Sequence, residues 1–267
     1  MRLTISHTTQ YHYEEPVHYG LQQLRLTPKS RAGQAVVEWK TTIEGGEKQL
    51  EYDDQHNNHV ELISFDDGRS DITIHCAGVV ETADNSGIVG SHGGYAPLWL
   101  FLRSTPLTRA GNNVRKLVKT ASGEFAGDIE RMHALSAEIA NAVKYETGKT
   151  HPATTAEETL DLGHGVCQDQ AHVFIAAARS MGFPARYVSG YLMMDDRVDQ
   201  DASHAWAEVH VDGIGWVGFD VANSISPDER YVRVATGLDY VEAAPISGMR
   251  HGDGDERMVV TLQVQQQ

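Results

Sequence analysis

The apolar residues of this chain change their period near residue 100, and that change restricts it to a β-rich part followed by a part with helices. In the first hundred residues Leu3 and Ile5 alternate with polar neighbours. Ala35–Trp39, Gln49–Tyr52, His59–Phe65 and Asp71–Cys76 are short β-rich segments separated by Gly, Asn and Asp. Asn57-Asn58 predicts a turn between two of them, and strands at this spacing predict an antiparallel β-sandwich. Over 124–146, Ile129, Met132, Leu135, Ile139 and Val143 recur at three- and four-residue steps, the period of an amphipathic helix. A second helix is expected over 106–120. Thr154 with Glu157, or Thr155 with Glu158, offers a capping box for a short helix that Gly163 and Gly165 would end. The next helix is predicted from Val166 to Met181, stopped by Gly182-Phe-Pro184. Strand-like segments follow at Ala185–Leu192, His204–Val211 and Gly215–Val221, and Met258–Val264 alternates as a further strand. The expected class is therefore α+β. Residues 82–97, rich in Gly, Ser and His, read as a connection, which divides the chain into a β domain at 1–100 and a mixed core at 101–267.

The bulk properties narrow the function. A chain of 267 residues can bury an ample core. Its net charge of −15 opposes nucleic acid and anionic membranes as partners. Two cysteines, Cys76 and Cys167, make no disulfide framework and suit a reducing compartment. The opening MRLTISHTTQYHY lacks the apolar run of a secretory signal, and no stretch approaches the roughly 18 apolar residues of a membrane span. The expectation is a cytoplasmic protein, its oligomeric state left open.

Cys167 begins a helix, where unpaired N–H groups and the positive end of the helix dipole favour a thiolate and can receive an oxyanion. Cys76 falls inside a strand and reads as a small buried hydrophobe. A reactive thiol needs a base. In the segment 203–221 a three-residue loop Val211-Asp212-Gly213 would set His204 opposite Asp220, with Cβ atoms about 5 Å apart. The same register collects Ala205, Ala207, Val209, Val217 and Phe219 on one apolar face. It leaves Trp206 and Trp216 on the face of His204 and Asp220. A loop one residue longer or shorter would break up that apolar face. A carboxylate there can fix the imidazole tautomer, as in other nucleophile–base–orienter triads. Metal binding by His164, Cys167 and His172 is disfavoured, because residues five apart on a helix are rotated by about 140°. No metal or cofactor is expected.

These residues resemble the bacterial transglutaminase-like superfamily, whose core is related to papain-like cysteine peptidases. The resemblance lies in Gly165-Val-Cys-Gln-Asp169 with Ala171-His172, in Gly182-Phe-Pro-Ala-Arg-Tyr-Val-Ser-Gly-Tyr191, in Ser203-His-Ala-Trp-Ala-Glu208 and in Gly215-Trp-Val-Gly-Phe-Asp220. Tyr145-Glu-Thr-Gly-Lys-Thr150, Gly237-Leu-Asp-Tyr240 and Ala244-Pro-Ile-Ser-Gly248 are similar to the bacterial members as well. The opening up to Leu24-Arg-Leu-Thr-Pro28 resembles the β-rich domain that precedes their core, while 30–95 matches only loosely. The resemblance implies Cys167 as nucleophile, His204 as general base and then acid, and Asp220 as orienting carboxylate. It implies a cysteine peptidase or amidase acting on a protein or peptide through a thioester. A protein-glutamine transglutaminase and a non-catalytic binding module are the alternatives. Asp169 is expected to be structural and His172 to satisfy a buried hydrogen bond. Tyr145 and Gln168 are candidates for a second oxyanion donor. Many relatives carry Pro-Thr after the acid where this chain has Val221-Ala222, which bears on substrate preference.

Overall fold

The computed structural model describes every residue except Ser122 and Asp253. Seven strands come first: β1 (Arg2–Val17), β2 (Tyr19–Leu24), β3 (Gln34–Glu44), β4 (Gly46–Asp53), β5 (His59–Phe65), β6 (Arg69–Thr82) and β7 (Ile88–Gly90). A 3₁₀ turn at Leu98–Leu102 leads to α1 (Asn112–Thr120), α2 (Asp128–Ala142), β8 (Lys144–Tyr145), α3 (Ala156–Leu162), β9 (His164–Gly165) and α4 (Cys167–Ser180). The chain ends with β10 (Ala185–Leu192), β11 (Asp199–Gln200), β12 (His204–Val211), β13 (Gly215–Phe219), β14 (Tyr231–Gly237), α5 (Tyr240–Ala243), β15 (Ile246–His251) and β16 (Glu256–Gln266).

Three sheets stack around two buried layers. A five-stranded sheet β11-β16-β1-β6-β3 faces a four-stranded sheet β15-β2-β5-β4. Tyr11, Tyr13, Ile72, Ile74 and Cys76 from the first meet Leu24, Ile63 and Phe65 from the second, which makes the N-terminal sandwich. The core sheet runs β14-β10-β12-β13-β7. Its odd-numbered β12 residues Ala205, Ala207 and Val209, with Val217 and Phe219, pack against Val173, Phe174 and Ala177 of α4. Toward its β14 edge Tyr191, Val232 and Val234 pack against Leu3, Ile5, Leu262 and Val264 of the first sheet. Burial is continuous from Asp169 to Arg179, so α4 is a central helix and not an amphipathic surface one.

Pairing crosses residue 100 in both directions. Residues β7 expected in the connection add an edge strand to the core sheet beside β13. The last strands, expected in the 101–267 segment, pair with the N-terminal sheets, β16 with β1 and β15 with β2. These additions cover strand edges that would otherwise expose unpaired backbone groups.

Two local expectations are corrected. The helix expected at 106–120 starts at Asn112, because Glu157 reaches across from α3 and accepts the N–H groups of Gly111, Asn113 and Val114 at 2.8–3.0 Å. Glu157 is thereby spent on another helix, and α3 is capped by Thr155 and Glu158. The helix expected over 124–146 is confined to Asp128–Ala142, its C-cap Val143 already extended.

Candidate active site

The turn before Cys167 is fixed by its own sequence. Gly163 ends α3 in the left-handed region at φ 67°. Asp169 turns back and accepts the Val166 N–H at 2.8 Å, and the Thr150 hydroxyl donates to the same oxygen at 2.7 Å. A Cβ at Gly165 would lie 2.8 Å from the Asp169 Cβ, so this close approach needs glycine. Burial pushes the Asp169 carboxyl up, against the pull of those two donors. Helix geometry leaves the N–H groups of Cys167 and Gln168 without intrahelical acceptors at the positive end of the dipole.

His204, the first residue of β12, is brought to this thiol by the hairpin with β13. Here the structure corrects the register. Val211 faces Gly215 and His210 faces Trp216, so the loop is Asp212-Gly213-Ile214 and the pairing is shifted by two residues. Gly213 and Gly215 take φ 79° and 94°, and a Cβ at Gly215 would meet the Gly90 carbonyl at 2.2 Å. The β7 edge therefore selects the loop. A shift of two keeps every side chain on its face, so His204 and Asp220 meet as diagonal rather than direct neighbours.

The imidazole joins the carboxylate and faces the cavity of the thiol. Its Nε2 lies 2.6 Å from Asp220 Oδ2, and the ring shares a cavity wall with Cys167, whose sulfur acts on it electrostatically. With Nε2 committed to the carboxylate, Nδ1 is the nitrogen left for the sulfur. Burial disfavours the charged ring, yet Cys167 and Asp220 together outweigh it and push the pKa up to about 10. Asp220 is 1% exposed. Its Oδ2 also accepts from Asn223 Nδ2 and from the Tyr231 hydroxyl, both at 2.7 Å. Burial works against the carboxylate, but the His204, Asn223 and Tyr231 donors hold its pKa below the usual range. The Tyr231 phenol is pushed up by burial and by Asp220, so it stays a donor.

Asn223 and Tyr231 were not singled out from the sequence. Asn223 had a signal, an Asn three residues after a carboxylate and just before Ser224, which takes φ 56°. Tyr231 had none, because only the pairing of β14 with β10 brings it to Asp220. Trp206 stacks on His204 with centroids 6.2 Å apart and meets Tyr231 edge-on at 5.4 Å. Trp216 shares that sheet face but sits elsewhere, under the Arg186 guanidinium at 3.9 Å and edge-on to Phe101. His172 accepts the Tyr240 N–H at 3.2 Å and is fully buried, which pushes its pKa down to about 3. Gln168 turns its Nε2 to the Pro152 carbonyl at 3.2 Å.

Two cavities meet at His204. One of about 500 Å³ is lined by Cys167, Tyr187 and Tyr240 from the core and by Tyr11, Met258 and Val260 from the N-terminal sheet. The other, of about 460 Å³, is lined by Met193, Asn223, Ile225 and Arg230. Tyr145, Met194 and Arg197 line both. Among the described residues, the group of ligand-bearing side chains close enough to hold a metal is Glu51, His59 and Glu61, in the N-terminal region. A thiol, an imidazole and a buried carboxylate in series beside a helix start are suited to acyl transfer.

Comparison with known proteins gives the family. Residues 114–221 match the model of the transglutaminase-like superfamily, and residues 3–81 match the bacterial transglutaminase-like N-terminal region. The chain belongs to the transglutaminase-like superfamily. Within it, this chain is of the kind that carries the bacterial N-terminal region ahead of the core. An uncharacterized protein of Mycobacterium leprae is 28% identical over 98% of both chains. One of Mycobacterium tuberculosis is 26% identical over 97% of this chain and 90% of its own. The crystal structure of a "Putative Cysteine Protease" from Cytophaga hutchinsonii shares the fold, with a TM-score of 0.78 at 20% identity, covering 99% of this chain and 90% of the other. No helix among the described residues is long and apolar enough to cross a membrane.

Proposed function

We propose that this protein is a cysteine peptidase or amidase working through Cys167, His204 and Asp220. The observation that carries the reading is the His204 ring beside Cys167 on one cavity wall, bonded to a buried Asp220 that receives three donors. The thiolate attacks an amide carbonyl, and the oxyanion is received by the N–H groups of the first turn of α4. The C–N bond breaks as His204 gives its proton to the leaving amine, leaving a thioester on Cys167. His204 then takes a proton from water, whose oxygen displaces the sulfur and releases a carboxylic acid. Asp220 keeps the imidazole oriented and stabilises its charged form throughout.

The name carried by the Cytophaga hutchinsonii neighbour favours water as acceptor over an amine. The two cavities flanking His204 favour a peptide segment as substrate. Trapping tests this reading. The protein is incubated with a peptide library with and without a fluorescent primary amine, and Cys167 is examined by mass spectrometry. Acyl adducts on Cys167 that decay to free acids support hydrolysis. Stable incorporation of the amine would replace it by transamidation. Absence of any adduct, with a Cys167→Ala chain binding the same peptides, would leave a binding module.

A further inference from the structure

The face of the core sheet that carries His204 holds a second polar cluster that the proposed chemistry does not use. Glu208 is fully buried and accepts from Arg186 Nε at 2.6 Å and from Arg233 Nε and Nη2 at 2.7 and 3.1 Å. Arg31, from the N-terminal region, faces the same group of charges. Gln34 holds the Arg31 segment in place, accepting the Arg233 N–H at 2.8 Å and donating to the Arg233 carbonyl at 2.9 Å. Two guanidiniums therefore share one carboxylate, and a third lies within electrostatic reach of it. Burial, and then repulsion from Arg233, pushes Arg31 down to about 9.

A cavity of about 70 Å³ opens between the two regions, lined among others by Arg31, Asn85, Trp206, Glu208, Asp228 and Arg233. Its carboxylates are already engaged. Both Glu208 oxygens are taken by arginine, and both Asp228 oxygens receive the Arg230 guanidinium at 2.6–3.0 Å. Its donors are not. Arg31 Nε and Trp206 Nε1 are buried without a partner, and Trp206 is only 2% exposed. The benzo edge of that indole lies over Gly190 on the β10 side, which leaves its N–H edge for the β13 side, where Gly218 lines the cavity. An indole N–H and a guanidinium can only donate, so the missing partner is an acceptor. A water needs about 10–15 Å³ of such space, so the cavity suits a group of a few heavy atoms.

We propose that this cavity binds a small oxyanion of the phosphate or carboxylate type, accepting from Arg31, Trp206 and Arg233. Guanidiniums pair with such oxygens in preference to a halide because their forked N–H groups match two oxygens at once. The bound anion offsets the excess positive charge and ties residues 31–34 to the core sheet. It also fixes the indole that stacks on His204, so it lies one ring away from the proposed base.

The test uses the full chain. Thermal unfolding is followed while sodium phosphate, sulfate, acetate or chloride is titrated at constant ionic strength, balanced with a bulky sulfonate buffer salt. The expected result is a saturable rise of several degrees with an oxyanion, little response to chloride, and loss of the response in Arg31→Met. Phosphate and sulfate acting alone assign a tetrahedral ion, and acetate acting alone assigns a carboxylate. In the wild-type protein, crystals grown with selenate should show anomalous density between Arg31 and Trp206 for a tetrahedral ion, which keeps the test independent of how the variant folds. A response equal for all four salts, or one that persists undiminished in folded Arg31→Met, would overturn the proposal. So would an empty cavity in selenate crystals of a protein stabilised by phosphate or sulfate.

Discussion

Replacing Tyr231 by Phe removes one oxygen atom and leaves the ring against Trp206 and His204. What is lost is a 2.7 Å hydrogen bond to a carboxylate that is 1% exposed. Hydrogen bonds to charged groups contribute about 1.5–3 kcal/mol. Two strong donors, His204 and Asn223, remain on the same oxygen, so the lower part of that range applies, about 1.5–2 kcal/mol. For a chain of this size that corresponds to a fall in midpoint of roughly 3–8 °C. The carboxylate left with fewer donors is a stronger acceptor for His204, so the imidazolium should be held no less firmly. Differential scanning calorimetry measures the first effect, and the rate of Cys167 alkylation by iodoacetamide measures the second. The expected outcome is a lower midpoint with alkylation near wild type. An unchanged midpoint would show that the bond contributes nothing. A stable variant whose Cys167 no longer labels would show that Tyr231 acts on the thiol and not through Asp220.

Other expectations follow from the same packing. Burial pushes His172 down to about 3 and His7 down to about 4 from 6.5. The unfolded chain then binds protons the folded chain does not, so stability is full above pH 6.5 and falls toward pH 3–4 by up to about 1.4 kcal/mol per pH unit for each ring. Urea midpoints over that interval should decline, and His172→Gln should flatten the decline. His204 works with the opposite sign: its contribution is present below pH 6.5 and is lost as pH rises through about 10. A Cβ at Gly190 would lie 2.2 Å from the Val232 carbonyl and 2.7 Å from the Trp206 ring. Gly190→Ala should cost about 1–3 kcal/mol or more and shift Trp206 off His204, read as a lower midpoint together with slower Cys167 alkylation.

The α+β class and most core elements could be read from the sequence because their signals are local. The run 167–180 carries a helical period, Gly182 follows it, and the alternation in β12 and β13 names the apolar face that packs on α4. The nearness of His204 to Asp220 followed from parity alone and so survived a register wrong by two residues. What stayed hidden depends on distant contacts. Glu157 looked like a cap for its own helix, and only the fold shows it capping α1. Nothing in the alternation of 256–266 names β1 as its partner. The donors on Asp220 come from a turn and from β14, and the wall of the larger cavity comes from β1 and β16. Such placements are set by tertiary packing, which sequence period does not encode.

The most direct measurement is the alkylation rate of Cys167 in the wild type and in His204→Ala, resolved by mass spectrometry from that of Cys76. Cys76 is fully buried and its thiol is pushed up to about 12 by that burial, so it serves as an unreactive internal reference. If His204 activates the sulfur, Cys167 labels rapidly at neutral pH in the wild type and loses most of that rate in the variant. Coincident rates in two folded proteins would contradict the account at its centre.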